Sequence, residues 1–528
     1  MLAEIETDTV GSALSTALAT LIDAEFVYEQ ALYPEVEYAF KHPLTQEGAL
    51  GSQLRDRQRR THHAVAVALE AGDAQRLDEN AALIAHHYEQ AEEALPAARW
   101  YRRAAEWVGM KDTPAALQHW QKLRQMAAFG AGREATALLA VGCSQAISLG
   151  WRVGLSAADC TVLFNEGCAA AKEVGDLHSL AILNGNYGAV GILVEGRVLD
   201  GVRYMTEAVR LADLTGDVAL RCGTTALLSY THLWDGDLWE AERIVERVIT
   251  LAGGDPHLGA RVNAGASALL GARCFSVEWV IGCTRDPNSA LRELAALRQQ
   301  ALDCGYPEQA MWAAWCEANL RSALGKGGID ALAQWIAPLT ERFGVAAAVI
   351  LEATRCNALT ADHAWQTVVE TGATGLCLIR ERSAMHPMQP FFLAHTANAH
   401  LELGEALLGR TEALAGVDYM RETHSVFDPH CYAVLARAQL ELREPEPDIA
   451  STLDEYAALI ERTGFHIYEG EMHELRARLA EREGRQADRA AALAIAHDCY
   501  TRFGMTGQAA RVMAVSVESR EFVHARDM

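Results

Sequence analysis

Apolar side chains recur along this chain at the three-to-four-residue spacing of amphipathic helices, with one interruption near the start. Residues 12–24 read as a helix with Leu14, Leu18, Leu21 and Ile22 on one face. The period then shortens to two. Phe26 and Tyr28 alternate with polar residues, as do Val36, Tyr38 and Phe40 beyond the turn-like Ala31-Leu32-Tyr33-Pro34, which predicts a β-hairpin. Helical spacing returns at Thr45 and runs to about Ala71. Helix, hairpin, helix is the ending of a winged-helix unit whose earlier helices would precede Met1.

From Arg76 onward the pattern is a succession of helix-length segments. Glycines punctuate it at Gly109, Gly130, Gly154, Gly175, Gly196, Gly216, Gly236, Gly253, Gly305, Gly344, Gly404, Gly464, Gly484 and Gly504. Glycine at such places takes the left-handed conformation that ends a helix. The aspartates in Gly175-Asp176, Gly216-Asp217 and Gly236-Asp237 are placed to cap the next helix. Two units superpose: Gly196 leads to Gly201, Met205 and Ala208-Val209, and Gly236 leads to Ala241, Val245 and Val248-Ile249. The small residue lets two helices approach, and the apolar ones fill the space between pairs. Similar turns recur at Gly409 to Ala413 and at Gly484. A repeat of about 40 residues in this style is similar to the tetratricopeptide pattern, whose usual repeat is about 34. Loops are expected at 282–289, 325–328 and 444–448.

The predicted fold is therefore all-α, a tetratricopeptide-like α-solenoid of helix pairs with a small winged-helix-like β-hairpin near the N-terminus. The predicted division is a winged-helix-like remnant over 1–75, a solenoid over 76–518 and a flexible tail over 519–528. Length agrees, because 528 residues exceed what one globular core holds, whereas a solenoid grows by adding repeats.

Composition narrows the function. A net charge of −24 repels phosphate backbones and anionic lipid, so no nucleic-acid or membrane partner is expected. The twelve cysteines contain no C-x-x-C pair, and most sit among Ala and Leu, as Cys143, Cys222 and Cys316 do. With an acidic start from Met1 to Val10 and no apolar run of membrane length, a cytoplasmic protein is expected.

One stretch carries a family resemblance. Leu21 to Leu54, with the run Tyr38-Ala39-Phe40-Lys41-His42-Pro43-Leu44-Thr45-Gln46-Glu47, resembles the segment that closes the ATPase domain in bacterial class III adenylate/guanylate cyclases fused to an AAA-type ATPase and tetratricopeptide repeats. Leu77-Asp78-Glu79-Asn80, Ala85-His86-His87-Tyr88 and Ala97-Ala98-Arg99-Trp100-Tyr101-Arg102-Arg103-Ala104-Ala105 extend the likeness over about residues 20–110. Beyond that the likeness is one of repeat style. The resemblance implies kinship to the regulatory half of such proteins. No G-x-x-x-x-G-K-[ST] phosphate loop is present, since Gly325-Lys326-Gly327-Gly328 lacks both the spacing and the Ser/Thr.

Candidate sites weigh lightly. Arg55, Arg57, Arg59, Arg60, His62 and His63 form the one dense basic cluster, which reads as a solvated helix face against acidic neighbours more readily than as a phosphate contact. His62-His63 and His86-His87 are adjacent pairs, and helical neighbours point about 100° apart, so neither pair alone holds a metal. His466, Glu469 and His473 share a face but lack a fourth ligand. Trp234, Trp239, Trp279, Trp312, Trp315 and Trp365 either line a concave surface or fill the core between repeats. No catalytic residue, cofactor or metal is assigned. The expected function is a non-catalytic interaction or regulatory protein that takes a protein partner or peptide in the solenoid groove. Alternatives are a truncated or trans-acting part of an adenylate/guanylate cyclase system, and a ligand-sensing arm like those of large ATP-binding transcription regulators.

Overall fold

The computed structural model describes residues 11–31, 37–263, 265–426 and 428–526. The chain forms two compact units, one of residues 1–109 with 114–143, the other of 144–528 with 110–113. Both are built from antiparallel helix pairs, and the chain is an all-α solenoid whose only described strands form one hairpin.

The first unit opens with α1 (Gly11–Asp23), β1 (Val27–Ala31) and β2 (Glu37–Phe40). The strands pair antiparallel, with Val27 opposite Phe40 and Tyr28 opposite Ala39. The predicted hairpin is present, but its faces are reversed. Val27 is the buried residue, and Phe26, Tyr28 and Phe40 are exposed. Alternation specifies that two faces differ, and in a two-stranded ribbon only the covering helix decides which is inside. The expected turn at Leu32 to Pro34 and Val36 lie outside the described residues. The unit continues with α2 (Pro43–Gly51), α3 (Arg55–Glu70), α4 (Ala81–Gln90), α5 (Ala94–Val108), α6 (Thr113–Phe129) and the first half of α7 (Arg133–Val153). Its core is made of small residues that let helices close up, among them Ala81, Ala85, Ala97 and Ala98, around Ile84. Gly130 is not left-handed; that conformation falls on Gly132 instead, with φ of 92°. Gly130 serves close approach, because a Cβ there would lie 2.8 Å from that of Ala135.

The second unit runs through α8 (Ala157–Val174), α9 (Leu177–Leu193), α10 (Val198–Thr215), α11 (Val218–Asp235), α12 (Leu238–Ala252), α13 (Ala268–Ser276), α14 (Pro287–Asp303), α15 (Pro307–Ala323) and α16 (Ile329–Ile336). It continues with α17 (Thr340–Ala361), α18 (Trp365–Arg382), α19 (Gln389–Glu402), α20 (Ala406–Thr423), α21 (His430–Glu441), α22 (Glu446–Thr463), α23 (Glu469–Arg482), α24 (Gln486–Arg502) and α25 (Thr506–Arg526). The punctuation works as its chemistry requires. Gly175, Gly216 and Gly236 end helices in the left-handed conformation. The carboxylates of Asp176, Asp217 and Asp237 then accept from the first free N–H groups of the next helix. Gly201 gives the close approach its position predicted, since a Cβ there would meet the Ile192 side chain at 2.4 Å. Met205, Ala208, Ala241 and Val248 are buried as expected, but Ile249 is half exposed.

Two expected loops are shorter than predicted. Residues 277–282 form a π-helical turn, so only 283–286 separates it from α14. Pro287 and Pro447 sit inside the first turn of a helix, where proline's missing N–H costs nothing. They open helices rather than breaking them.

Alternate helices of this unit differ in composition. Over α9 every residue from Ser179 to Ile192 is buried, and over α15 the run Glu308–Ala318 is buried likewise. The helices between them, such as α12, bury a single stripe. The first set packs side by side along the interior: α9 on α11, α11 on α13, and so on through α15, α17, α19, α21 and α23. The superhelix is wound so tightly that distant repeats touch. The Val426 N–H donates to Trp234 O at 2.9 Å, and the Ile467 N–H to Cys283 O at 3.0 Å. Arg462 Nη1 reaches Asp235 O, 227 residues away, and Gln508 Nε2 reaches Ala323 O, 185 residues away. Gly344, with φ of 63°, kinks α17 where a Cβ would sit 3.0 Å from Arg152 O. These contacts turn what would be an open groove into an interior.

Candidate functional site

Inside the second unit the inner helices line a half-open cavity of about 690 Å³. Its wall follows from the repeat. Glu278, on the π-helical turn after α13, accepts from Asn319 Nδ2 at 2.9 Å through Oε1. Asn319 Oδ1 accepts from Asn357 Nδ2 at 2.7 Å. Further round, Asn398 Oδ1 accepts from Arg437 Nη1 at 2.9 Å. These partners lie 41, 38 and 39 residues apart, one repeat each, so they occupy equivalent positions on successive inner helices. Arg478 continues the series on α23. A polar residue at this position once per turn of the repeat gives a hydrogen-bonded ladder facing the cavity.

A second polar group crosses the ladder. Asp428, nearly fully buried, accepts the His430 N–H at 3.0 Å. His430 Nε2 lies 3.2 Å from Glu471 Oε1. Burial alone would lower the His430 imidazole, but Glu471 and Asp428 outweigh it and hold it up at about 9. Glu471 falls below the usual carboxylate range because His430 and Arg437 overcome its burial. The other two acids go the opposite way. Burial raises Glu278 to about 7 and Asp428 to about 6, and the charge of Asp428 lifts Glu278 further. Opposite, burial and the neighbouring His430 lower His395 to about 3, so it stays neutral. Arg437 also pairs with Glu402 at 2.6 Å, and Arg511 pairs with Glu474.

A smaller cavity of about 80 Å³ lies among α7, α9, α11, α13 and α15. Aromatic rings of Trp151, Tyr230, Trp234, Phe275 and Trp312 wall it. Its charge is self-contained: Arg152 donates to Glu308 through Nε at 2.8 Å and to Ser148 O through Nη1 at 2.6 Å, with both partners buried. The Arg152 guanidinium also stacks 4.2 Å from the Trp151 ring.

The residues singled out from sequence are distributed as follows. The six tryptophans divide. Trp279 and Trp315 line the large cavity, Trp234 and Trp312 the small one, Trp365 is half-buried and Trp239 is exposed. Of the basic cluster, Arg55 and Arg59 pair with Glu92 and His63 with Glu93, across to the end of α4. The two histidine pairs meet between helices: His62 Nδ1 lies 2.9 Å from His87 Nδ1, and the rings of His62, His86 and His87 cluster. Burial first, then its histidine neighbours, lower His87 to about 4. His466 and Glu469 pair at 2.6 Å, and Glu469 also takes Arg502 at 2.5 Å. Among the described residues no group of three His, Cys, Asp or Glu is arranged to hold a metal ion, and no helix is long and apolar enough to cross a membrane.

Sequence reading missed the ladder. Its signal was Asn319, Asn357 and Asn398, polar residues recurring at the repeat period within otherwise apolar helices. No known protein family matches the chain, and no curated protein resembles it significantly.

Proposed function

We propose that this protein is a non-catalytic binding protein of regulatory type, which takes a ligand or a peptide end into the central cavity of its helical solenoid. The observation that carries this reading is the ladder: equivalent positions on successive inner helices present amides and charges to one cavity. Polar side chains kept inside a helical array cost stability unless something is gained by them. The cavity volume falls in the range of small-ligand sites, which favours a compact ligand or a chain terminus over a folded protein surface. This supports the ligand-sensing variant alongside the partner-binding one. The resemblance over residues 20–110 supports kinship to the regulatory half of cyclase–ATPase signalling proteins, acting in the cytoplasm and in trans to catalytic parts encoded elsewhere.

Native mass spectrometry of the full chain purified from cells tests the reading. A bound small molecule or peptide is expected, lost when Asn357 and Asn398 are both replaced by leucine. A chain that binds nothing and turns over a nucleoside triphosphate would contradict it.

A further inference from the structure

Each carboxylate in the wall of the central cavity needs a donor or a cation, and the supply runs short at one place. Glu471 has His430, Glu402 has Arg437, and Glu474 has Arg511. Glu278 has neutral neighbours alone, the Asn319 amide on Oε1 and the Cys316 and Trp279 side chains, and no cation. Its Oε2 has no hydrogen-bond partner, although the residue is 4% exposed. Burial raises the Glu278 carboxyl, and hydrogen bonding from Cys316, Asn319 and Trp279 lowers it without offsetting the burial. Asp428, also nearly fully buried, faces the same space, and its charge reaches Glu278. Two buried acids therefore look onto one cavity, and the one cation beside Asp428, His430, is shared with Glu471, which leaves Glu278 without one.

The surroundings suit an organic cation. Trp279 follows Glu278 on the same π-helical turn, and its ring meets Phe465 edge-on at 5.7 Å, with Phe465 in turn 6.2 Å from Tyr468. All three line the cavity. Ring faces attract cations, most strongly where water is excluded. The π-turn itself is a rare irregularity, found frequently at functional sites. It costs backbone regularity and sets Glu278 and Trp279 together at the cavity wall.

We propose that the central cavity binds a small organic cation, a primary amine or guanidine with an apolar body, whose positive group sits at Glu278 and Asp428 and whose body lies against Trp279, Phe465 and Tyr468. The ligand supplies the donor that Glu278 Oε2 lacks and the positive charge that Glu278 does not find in the protein. This rests on the reading that the cavity binds a ligand, and it specifies the ligand's charge.

Isothermal titration calorimetry on the full chain tests it, with phenethylamine, agmatine and putrescine as probes against 2-phenylethanol, succinate and potassium chloride. Saturable binding of at least one amine is expected, absent for the alcohol and the dicarboxylate. Glu278→Gln keeps the shape and the bond to Asn319 and is expected to weaken amine binding about tenfold or more, as loss of a charge-assisted hydrogen bond requires. A thermal melt of the same variant confirms that it folds, and Trp239→Ala, an exposed ring that does not line the cavity, serves as the unaffected control. Equal amine binding by Glu278→Gln overturns the proposal. Binding of succinate or 2-phenylethanol with no amine also overturns it while leaving a ligand-binding cavity. Binding by potassium chloride alone overturns the organic body, and binding by no probe, charged or neutral, counts against both readings.

Discussion

The two cavities of the second unit are bounded by the same kind of inner helix, yet they handle charge in opposite ways. The small cavity closes its account internally: the Arg152 guanidinium is answered by Glu308 and Ser148 O, and aromatic rings cover the rest. The large one has acids on several helices, and at Glu278 the answering group is missing. Charge inside a protein is tolerated when partners satisfy it, and an unsatisfied group marks either strain or an absent ligand. A complete pair reads as architecture, an incomplete one as a site.

Breaking the complete pair should have the largest effect. Arg152→Met leaves Glu308 buried and unpaired and is expected to cost about 3–5 kcal/mol in urea denaturation. Replacing both residues by apolar ones of similar volume should recover most of that loss. If the double variant is as unstable as the single one, the pair is doing something other than satisfying itself.

The incomplete site should respond with the opposite sign. Glu278 has its folded value raised from 4.5 to about 7, so the folded state holds more protons than the unfolded one between those values. Its contribution therefore falls as pH rises through that window. Glu278→Gln is expected to stabilise the ligand-free protein by about 2 kcal/mol at about pH 8 and to do little at about pH 4. Denaturation curves at both pH values check it. A variant destabilised at about pH 8 would mean that the carboxylate already has a cation.

A smaller gain is expected in the small cavity. The Gln309 Oε1 there is buried without a partner, so Gln309→Leu should stabilise by about 1 kcal/mol in the same assay. Smallest of all, Trp239→Ala should change stability by under about 0.5 kcal/mol, because this ring is 68% exposed and belongs to neither cavity. Thermal melts resolve both.

Local chemistry was legible before the fold was known. The turn glycines other than Gly130, the Asp176, Asp217 and Asp237 caps and the close approach at Gly201 depend on a few neighbouring residues, and these stand where the pattern placed them. The errors were also local in origin. Gly130, Ile249 and the hairpin faces show that a spacing rule gives the period of burial without giving its phase. The site was less legible. Trp279 and Trp315 were candidates, but nothing set them apart from exposed Trp239 until burial was known. The histidine pairs were judged each within its own helix, whereas His62 and His87 meet across two.

Sequence alone determined the helical periodicity, most turn glycines, the Asp176, Asp217 and Asp237 caps and the style of the repeat, because those follow from spacing and from backbone groups a few residues apart. Tertiary structure decided how the inner surface folds back on itself, since that rests on contacts such as Arg462 to Asp235, separated by 227 residues. It also decided which polar residues face one another. A chain position carries no information about charge balance in a cavity until the superhelix brings Glu278, Asp428 and Glu471 around the same space.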